Sequence, residues 1–256
     1  MNQRLKGALI LAPFIIALFF GDIVRTFLLM VMGFLAYREL YTAFKQKDIH
    51  IPLALGIAIP IAIFILVLAD DYELTITVLK ALGIFTAILL LIQEEIKLKN
   101  IACSIGSVIY AFFPFLALTI LGADYDGELY IIFVLLASFV TDICAMQAGK
   151  HFGKHKLTKI SPNKTIEGSI GGVIGAMITC GIFGLLIGAP FLFMALIGGV
   201  CSIFAQLGDL FASAIKRYCG IKDFSNLIPG HGGILDRFDS VIFVSVAFFV
   251  IYLIMT

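Results

Sequence analysis

Runs of apolar residues free or nearly free of charge recur along this chain, separated by short polar stretches. Nine such runs are candidate helices, at 7–21, 24–37, 51–69, 74–92, 101–121, 129–149, 168–188, 190–213 and 238–255. A bilayer crossing takes roughly 20 apolar residues, and fewer where the membrane thins. The first two runs are short enough to form a tight hairpin of short helices instead of two full crossings. No charge interrupts the chain from Gly168 to Gly208. A straight helix over that stretch would be about 61 Å long, about twice the hydrocarbon thickness, so the chain must turn once within it. Gly188-Ala189-Pro190 supplies the break. The predicted fold is therefore all-α: a polytopic membrane protein of about nine transmembrane helices. It forms a single transmembrane domain over 1–256, with N-terminal spans in 1–128 and a C-terminal half in 129–256.

The charges test this map. Every one of the 18 Lys and Arg residues except Arg25 and Lys80 falls before the first run or in the loops 38–50, 93–100, 150–167 and 214–237. The alternate loops are acidic, with Asp70, Asp71 and Glu73 in one and Asp124, Asp126 and Glu128 in another. Basic loops stay on the cytoplasmic side, so the expected topology has the N-terminus in the cytoplasm and the C-terminus outside. Arg25 and Lys80 are isolated, and snorkelling to an interface accounts for them. Arg4 and Lys6 ahead of the first run resemble a signal peptide, but further spans follow, and the run is read as an uncleaved first span.

Composition agrees. Hydrophobic residues make up 61% of the 256 and charged residues 14%, against the roughly 25% charged residues of soluble domains. A net charge of +1 gives no basis for nucleic-acid binding. The five cysteines lie mostly in apolar runs without paired spacing, which fits small buried hydrophobes and not a disulfide framework. Gly168, Gly171, Gly172 and Gly175 form a small-residue face suited to close helix packing.

Two polar regions stand apart from this pattern. One begins at Thr141-Asp142 and continues through Gly149-Lys150 to Ser161-Pro162-Asn163-Lys164-Thr165-Ile166-Glu167-Gly168. Lysines among glycines and hydroxyls can cradle a triphosphate, although a basic loop can equally fix topology or touch anionic lipid. Asp142 either joins a site or satisfies a neighbouring helix. The second region is more specific. Ser202, Gln206, Asp209, Ser213 and Lys216/Arg217 recur at helical spacing, and an aspartate within a span costs roughly 2.5–3.5 kcal/mol on insertion scales. Lys222 and Asp223 follow, then a turn at Pro229-Gly230, then His231, Asp236, Arg237 and Asp239. Asp236 and Asp239 are three apart and share one face of the last helix. Paired carboxylates with interleaved basic residues suit Mg²⁺ on a phosphate, whereas a single one would serve as a helix cap. His231 is a general base, a substrate contact or a turn residue, and the sequence leaves the three open.

The run Ser213-Ala214-Ile215-Lys216-Arg217, then Lys222-Asp223, Ser225 and Ile228-Pro229-Gly230-His231-Gly232-Gly233-Ile234-Leu235-Asp236-Arg237-Phe238-Asp239 resembles the signature of the phosphatidate cytidylyltransferase (CDP-diglyceride synthase) family. Gly208-Asp209-Leu210 and the two loop segments around Lys150 and Lys164 are also similar to that family. The likeness covers 138–256, and it departs at Met146 and Lys150, where the family often has an aromatic residue and Arg. It implies an integral membrane nucleotidyltransferase of the inner membrane, with its site facing the cytoplasm, that converts CTP and phosphatidate to CDP-diacylglycerol and pyrophosphate for phospholipid biosynthesis. It also implies Mg²⁺, as one ion or two, and a homodimer. Carried over, Asp209, Asp236 and Asp239 are metal ligands and, with Arg237 and His231, the catalytic set. Lys164, Lys216, Arg217 and Lys222 hold phosphates, with Asp142 and Ser213 beside them. A transporter, or a CDP-alcohol phosphotransferase, would be the rival classes. The polar residues cluster at one face instead of the midplane, against the first, and the Asp-Gly…Ala-Arg element of the second is absent.

Overall fold

The computed structural model describes residues 16–69 and 97–256, apart from 229 and 231, with isolated positions between 77 and 88. Over these the chain is helical: α1 (Asp22–Lys45), α2 (Leu53–Ala69), α3 (Leu98–Gly122), α4 (Gly127–Phe152), α5 (Ile166–Leu186), α6 (Phe191–Cys219) and α7 (Leu235–Met255). The candidate runs 7–21 and 74–92 lie wholly or largely outside the described residues. Five helices among the described residues, α3 to α7, are long and apolar enough to cross a membrane. The chain is a multi-pass membrane protein.

The helices outrun the apolar stretches at their polar ends. The run 190–213 sits in a helix that continues to Cys219, and 24–37 sits in one that continues to Lys45. Hydropathy reports where lipid ends, but a helix ends where its terminal carbonyls find other partners. The break between α5 and α6 shows this. Gly188 takes φ 80, a left-handed conformation that glycine adopts without a Cβ penalty. Ala189 N–H then donates to the Gly184 carbonyl at 2.8 Å and Gly188 N–H to that of Leu185 at 3.3 Å, which is a Schellman ending.

The described chain gathers into two compact units. One draws on residues before Leu121 together with Cys219–Asp236, and the other comprises Leu121–Tyr218 and Arg237–Thr256. The segment 219–236 thus packs with the N-terminal helices. In the first unit Tyr37 is fully buried, stacks on Phe112 at 5.6 Å, and donates its hydroxyl hydrogen to the Pro52 carbonyl at 2.9 Å. Phe27 meets Phe64 edge-on at 5.9 Å, joining α1 to α2.

In the second unit α5 lies against α4 along its glycine face. A Cβ on Gly171 would stand 2.3 Å from that of Ala148, and one on Gly175 would stand 2.4 Å from Cys144 Sγ. The opposite face of α5 presents Ile170, Ile174, Ile178 and Ile182, all exposed. Such an apolar ridge would be costly in water and is the natural surface of a helix in lipid. Phe133 of α4 closes the interior against Phe248 of α7 at 4.9 Å.

Candidate active site

The polar end of the second unit is built by α4, the loop after it, α5 and α6. The loop returns on itself: Leu157 N–H donates to the Lys164 carbonyl and Ile166 N–H to the His155 carbonyl, both at 2.9 Å. Glu167 fastens its base by accepting from the backbone N–H groups of Lys154 and His155 at 3.0 and 3.2 Å. Thr165 is the N-cap of α5, its Oγ1 accepting from Gly168 N–H at 3.1 Å. Losing that oxygen leaves an N–H of the first turn without its side-chain partner. Thr165→Ala is therefore expected to lower stability by about 1 kcal/mol, read as a lower melting midpoint of the purified protein in detergent.

These elements enclose a cavity of about 450 Å³. Asp142, Lys150, Asn163, Lys164, Gln206 and Asp209 contribute its polar lining. Lys164 pairs with Asp209 directly, and both side chains remain partly exposed, at 24% and 28%. Gln206 donates from Nε2 to the Ser169 carbonyl at 3.2 Å, tying α6 to the start of α5. Ser213 Oγ lies 3.5 Å from Asp209 Oδ1, one turn farther along α6.

Deeper, Ser240 Oγ lies 3.0 and 3.2 Å from the two carboxylate oxygens of Asp142, so its hydroxyl can donate to either. Ser240 N–H donates to Asp239 Oδ1 at 2.8 Å. Asp142, Asp209 and Asp239 lie close enough to repel one another, and Lys164, Lys216 and Arg237 offset that charge. The approach of α6 to α7 here depends on Gly208. A Cβ at that position would stand 2.4 Å from the Asp239 carbonyl oxygen.

The remaining expected residues are placed differently. Arg217 and Lys222 are exposed, and neither lines the cavity. His231 lies outside the described residues. Asp236 belongs to the first unit, where its Oδ2 accepts from Phe224 N–H at 2.8 Å and Gly233 N–H at 3.0 Å. Both donors precede α7, so this carboxylate ties down the loop and not the first turn of its own helix. Ile228 and Gly232 exchange backbone hydrogen bonds of 2.8 and 3.2 Å, closing a tight turn through Gly230.

Two polar residues that the sequence did not mark are firmly engaged, one in each unit. Ser240 gave no signal beyond being a hydroxyl one residue after Asp239. Glu39, on α1, is buried and accepts from Ser225 Oγ at 2.6 Å and from the N–H groups of Ile234 and Leu235, each at 2.9 Å. Burial pushes its carboxyl above the usual range, against the pull of those three hydrogen bonds.

The chain matches the family model described as "Cytidylyltransferase family" over residues 2–255. It belongs to that family. Among relatives in the cytidylyltransferase family, one from Bacillus subtilis (strain 168) is 35% identical over 266 residues, covering 95% of this chain and 94% of its own. One from Staphylococcus haemolyticus (strain JCSC1435) is 36% identical over 252 residues, covering 94% and 95%. Both are named phosphatidate cytidylyltransferase.

Membership in the cytidylyltransferase family implies a divalent cation, and the residues present can be judged against that. Among the described residues no three His, Cys, Asp or Glu side chains stand together as a ready set of metal ligands. The chemistry of the donors nonetheless fits a hard cation. Asp142, Asp209 and Asp239 offer carboxylate oxygens within electrostatic reach of one another, and Mg²⁺ characteristically takes only one or two carboxylates and completes its shell with water and substrate phosphate oxygens.

Proposed function

We propose that the cavity lined by Asp142, Lys164 and Asp209 is where this chain carries out phosphatidate cytidylyltransferase chemistry, joining CTP to phosphatidate to give CDP-diacylglycerol and pyrophosphate. The observation that carries the assignment is the pairing of Lys164 with Asp209 at a cavity at the polar ends of apolar helices. Such a place lets a lipid keep its acyl chains in the membrane while its head group meets a soluble nucleotide.

A phosphate oxygen of phosphatidate attacks the α-phosphorus of CTP in line. The new P–O bond forms as the bond from the α-phosphorus to its bridging oxygen breaks, and pyrophosphate leaves with that electron pair. The nucleophile is already an anion, so the step needs no strong general base, and positioning with charge neutralisation supplies most of the rate. Lys164, with Lys150 on the same cavity, holds phosphate oxygens as point charges. Lys216 and Arg237 add positive charge beside Asp239 and Asp142. Mg²⁺, when bound, would lower the repulsion between the two phosphate groups, and Asp209 and Asp239 are the residues that would hold it. Ser240 keeps the Asp142 carboxylate in place and fixes Asp239 through its own N–H.

The basic loops favour a cytoplasmic position for this end of the molecule, where CTP is available, and a nine-span topology with a cytoplasmic N-terminus belongs to the same reading. The bacterial relatives favour the inner membrane as its location. Pairing into a homodimer belongs to the same reading, and cross-linking in membranes tests it.

Purified protein given phosphatidate in mixed micelles and CTP is expected to release pyrophosphate. Chelation with EDTA should abolish release, and added Mg²⁺ should restore it. Full turnover in the presence of excess chelator would remove the metal from this reading, and absence of turnover under every condition would remove the reaction.

A further inference from the structure

The carboxylate of Glu39 is 5% exposed, yet both of its oxygens are engaged, and all three donors come from the segment that leads into α7. Ser225 Oγ and Ile234 N–H share Oε1, and Leu235 N–H takes Oε2. Leu235 is the first residue of α7, so two of these donors are N–H groups at a helix start, where no intrahelical partner exists. A negative charge there also suits the helix dipole. Gly233 leaves room for the arrangement, since a Cβ on it would stand 2.3 Å from Glu39 Oε1. A buried carboxylate of this kind is costly unless its hydrogen bonds are complete. It is therefore a poor choice for mere packing and a strong constraint on direction.

We propose that Glu39 is a positioning residue for the cytidylyl transfer: it clamps Ser225, Ile234 and Leu235 and so holds the start of α7, the helix that carries Asp239 and Ser240, in one conformation. The inference rests on the activity proposed above. Glu39 itself touches no substrate. It acts through the loop whose other anchor is Asp236, which binds the N–H groups of Phe224 and Gly233. Two carboxylates, one from α1 and one from α7, thus hold the same short segment by its backbone.

The test uses the full-length protein in detergent with phosphatidate and CTP. Glu39→Gln keeps the size of the side chain but turns one acceptor oxygen into a donor facing a backbone N–H. It is expected to lower kcat by about 10-fold or more, the size of a charge-assisted hydrogen bond. Ser225→Ala removes one donor and is expected to lower kcat by a smaller factor. The KM for CTP should move little in either variant, and kcat per folded molecule, measured well below the melting transition, should fall by more than any lowered midpoint explains. Trypsin should cut after the exposed Lys222 faster in both, a readout of loop freedom that does not pass through catalysis. Asp209→Asn is run alongside. An active Asp209→Asn variant would sink the proposed site and leave the clamp to be judged on trypsin alone. If Asp209→Asn is inactive while Glu39→Gln keeps wild-type kcat and trypsin resistance, the clamp is refuted. A loss of kcat that only follows the fraction of folded protein refutes it equally. Should Glu39→Gln fail to accumulate, Ser225→Ala decides on the same measurements.

Discussion

Asp209→Asn is expected to reduce transfer of labelled CTP into lipid by on the order of 100- to 1,000-fold, the range found when one preorganised charge-stabilising group is removed. The substitution keeps the shape of the side chain and removes its charge. Lys164 would then lose its ion-pair partner at the cavity wall, and Ser213 would keep a polar neighbour. Asp209 is partly exposed, so the fold does not depend on its charge, and the variant should insert into membranes and purify like the parent. The combination is diagnostic. Lost transfer with normal insertion places the chemistry at this carboxylate, and wild-type transfer would strip Asp209 of its role.

Gly208→Ala should harm both the fold and the site. The new Cβ would stand 2.4 Å from the Asp239 carbonyl oxygen and 3.1 Å from the Phe243 side chain. The first of these is backbone and cannot swing aside, so α6 and α7 must separate. Overpacking of this kind costs about 1–3 kcal/mol. The separation would also move Asp209, the next residue on α6, away from Asp239 and Ser240. Transfer should therefore fall along with the melting midpoint, and the fall should exceed what the loss of folded protein explains. A variant with normal melting and normal turnover would show that the two helices have room to spare here.

Several features were legible because they are written in neighbouring residues. A long uncharged run can only be apolar helix in lipid, and this carries α3 to α7. The break at Gly188-Ala189-Pro190 was equally local, since one glycine must adopt φ 80 for the chain to turn. Glycines spaced for close approach lie where α5 meets α4, for the reason that spacing suggests. Asp209 stood out because a carboxylate in an apolar helix is too costly to be accidental. The pattern could not say where the helices stop. Lys216 and Arg217 ride on α6, beyond the end of the apolar run, because hydrogen bonding and not hydropathy sets that boundary.

The sequence by itself determined an all-helical membrane chain, a face of basic loops and a short roster of aspartates and lysines with phosphate chemistry. It could not apportion work among those aspartates, because spacing three apart gives Asp236 and Asp239 the same helix face and nothing more. Tertiary packing separated them, turning the Asp236 carboxylate onto the N–H groups of its own loop while Asp239 joined Asp142 through Ser240. Packing also brought Glu39 to Ser225, Ile234 and Leu235, residues 186 to 196 positions away along the chain. Hydrogen bonds between segments so distant leave no periodicity to read. They exist only once the apolar faces have been buried and the few polar groups left inside have found one another.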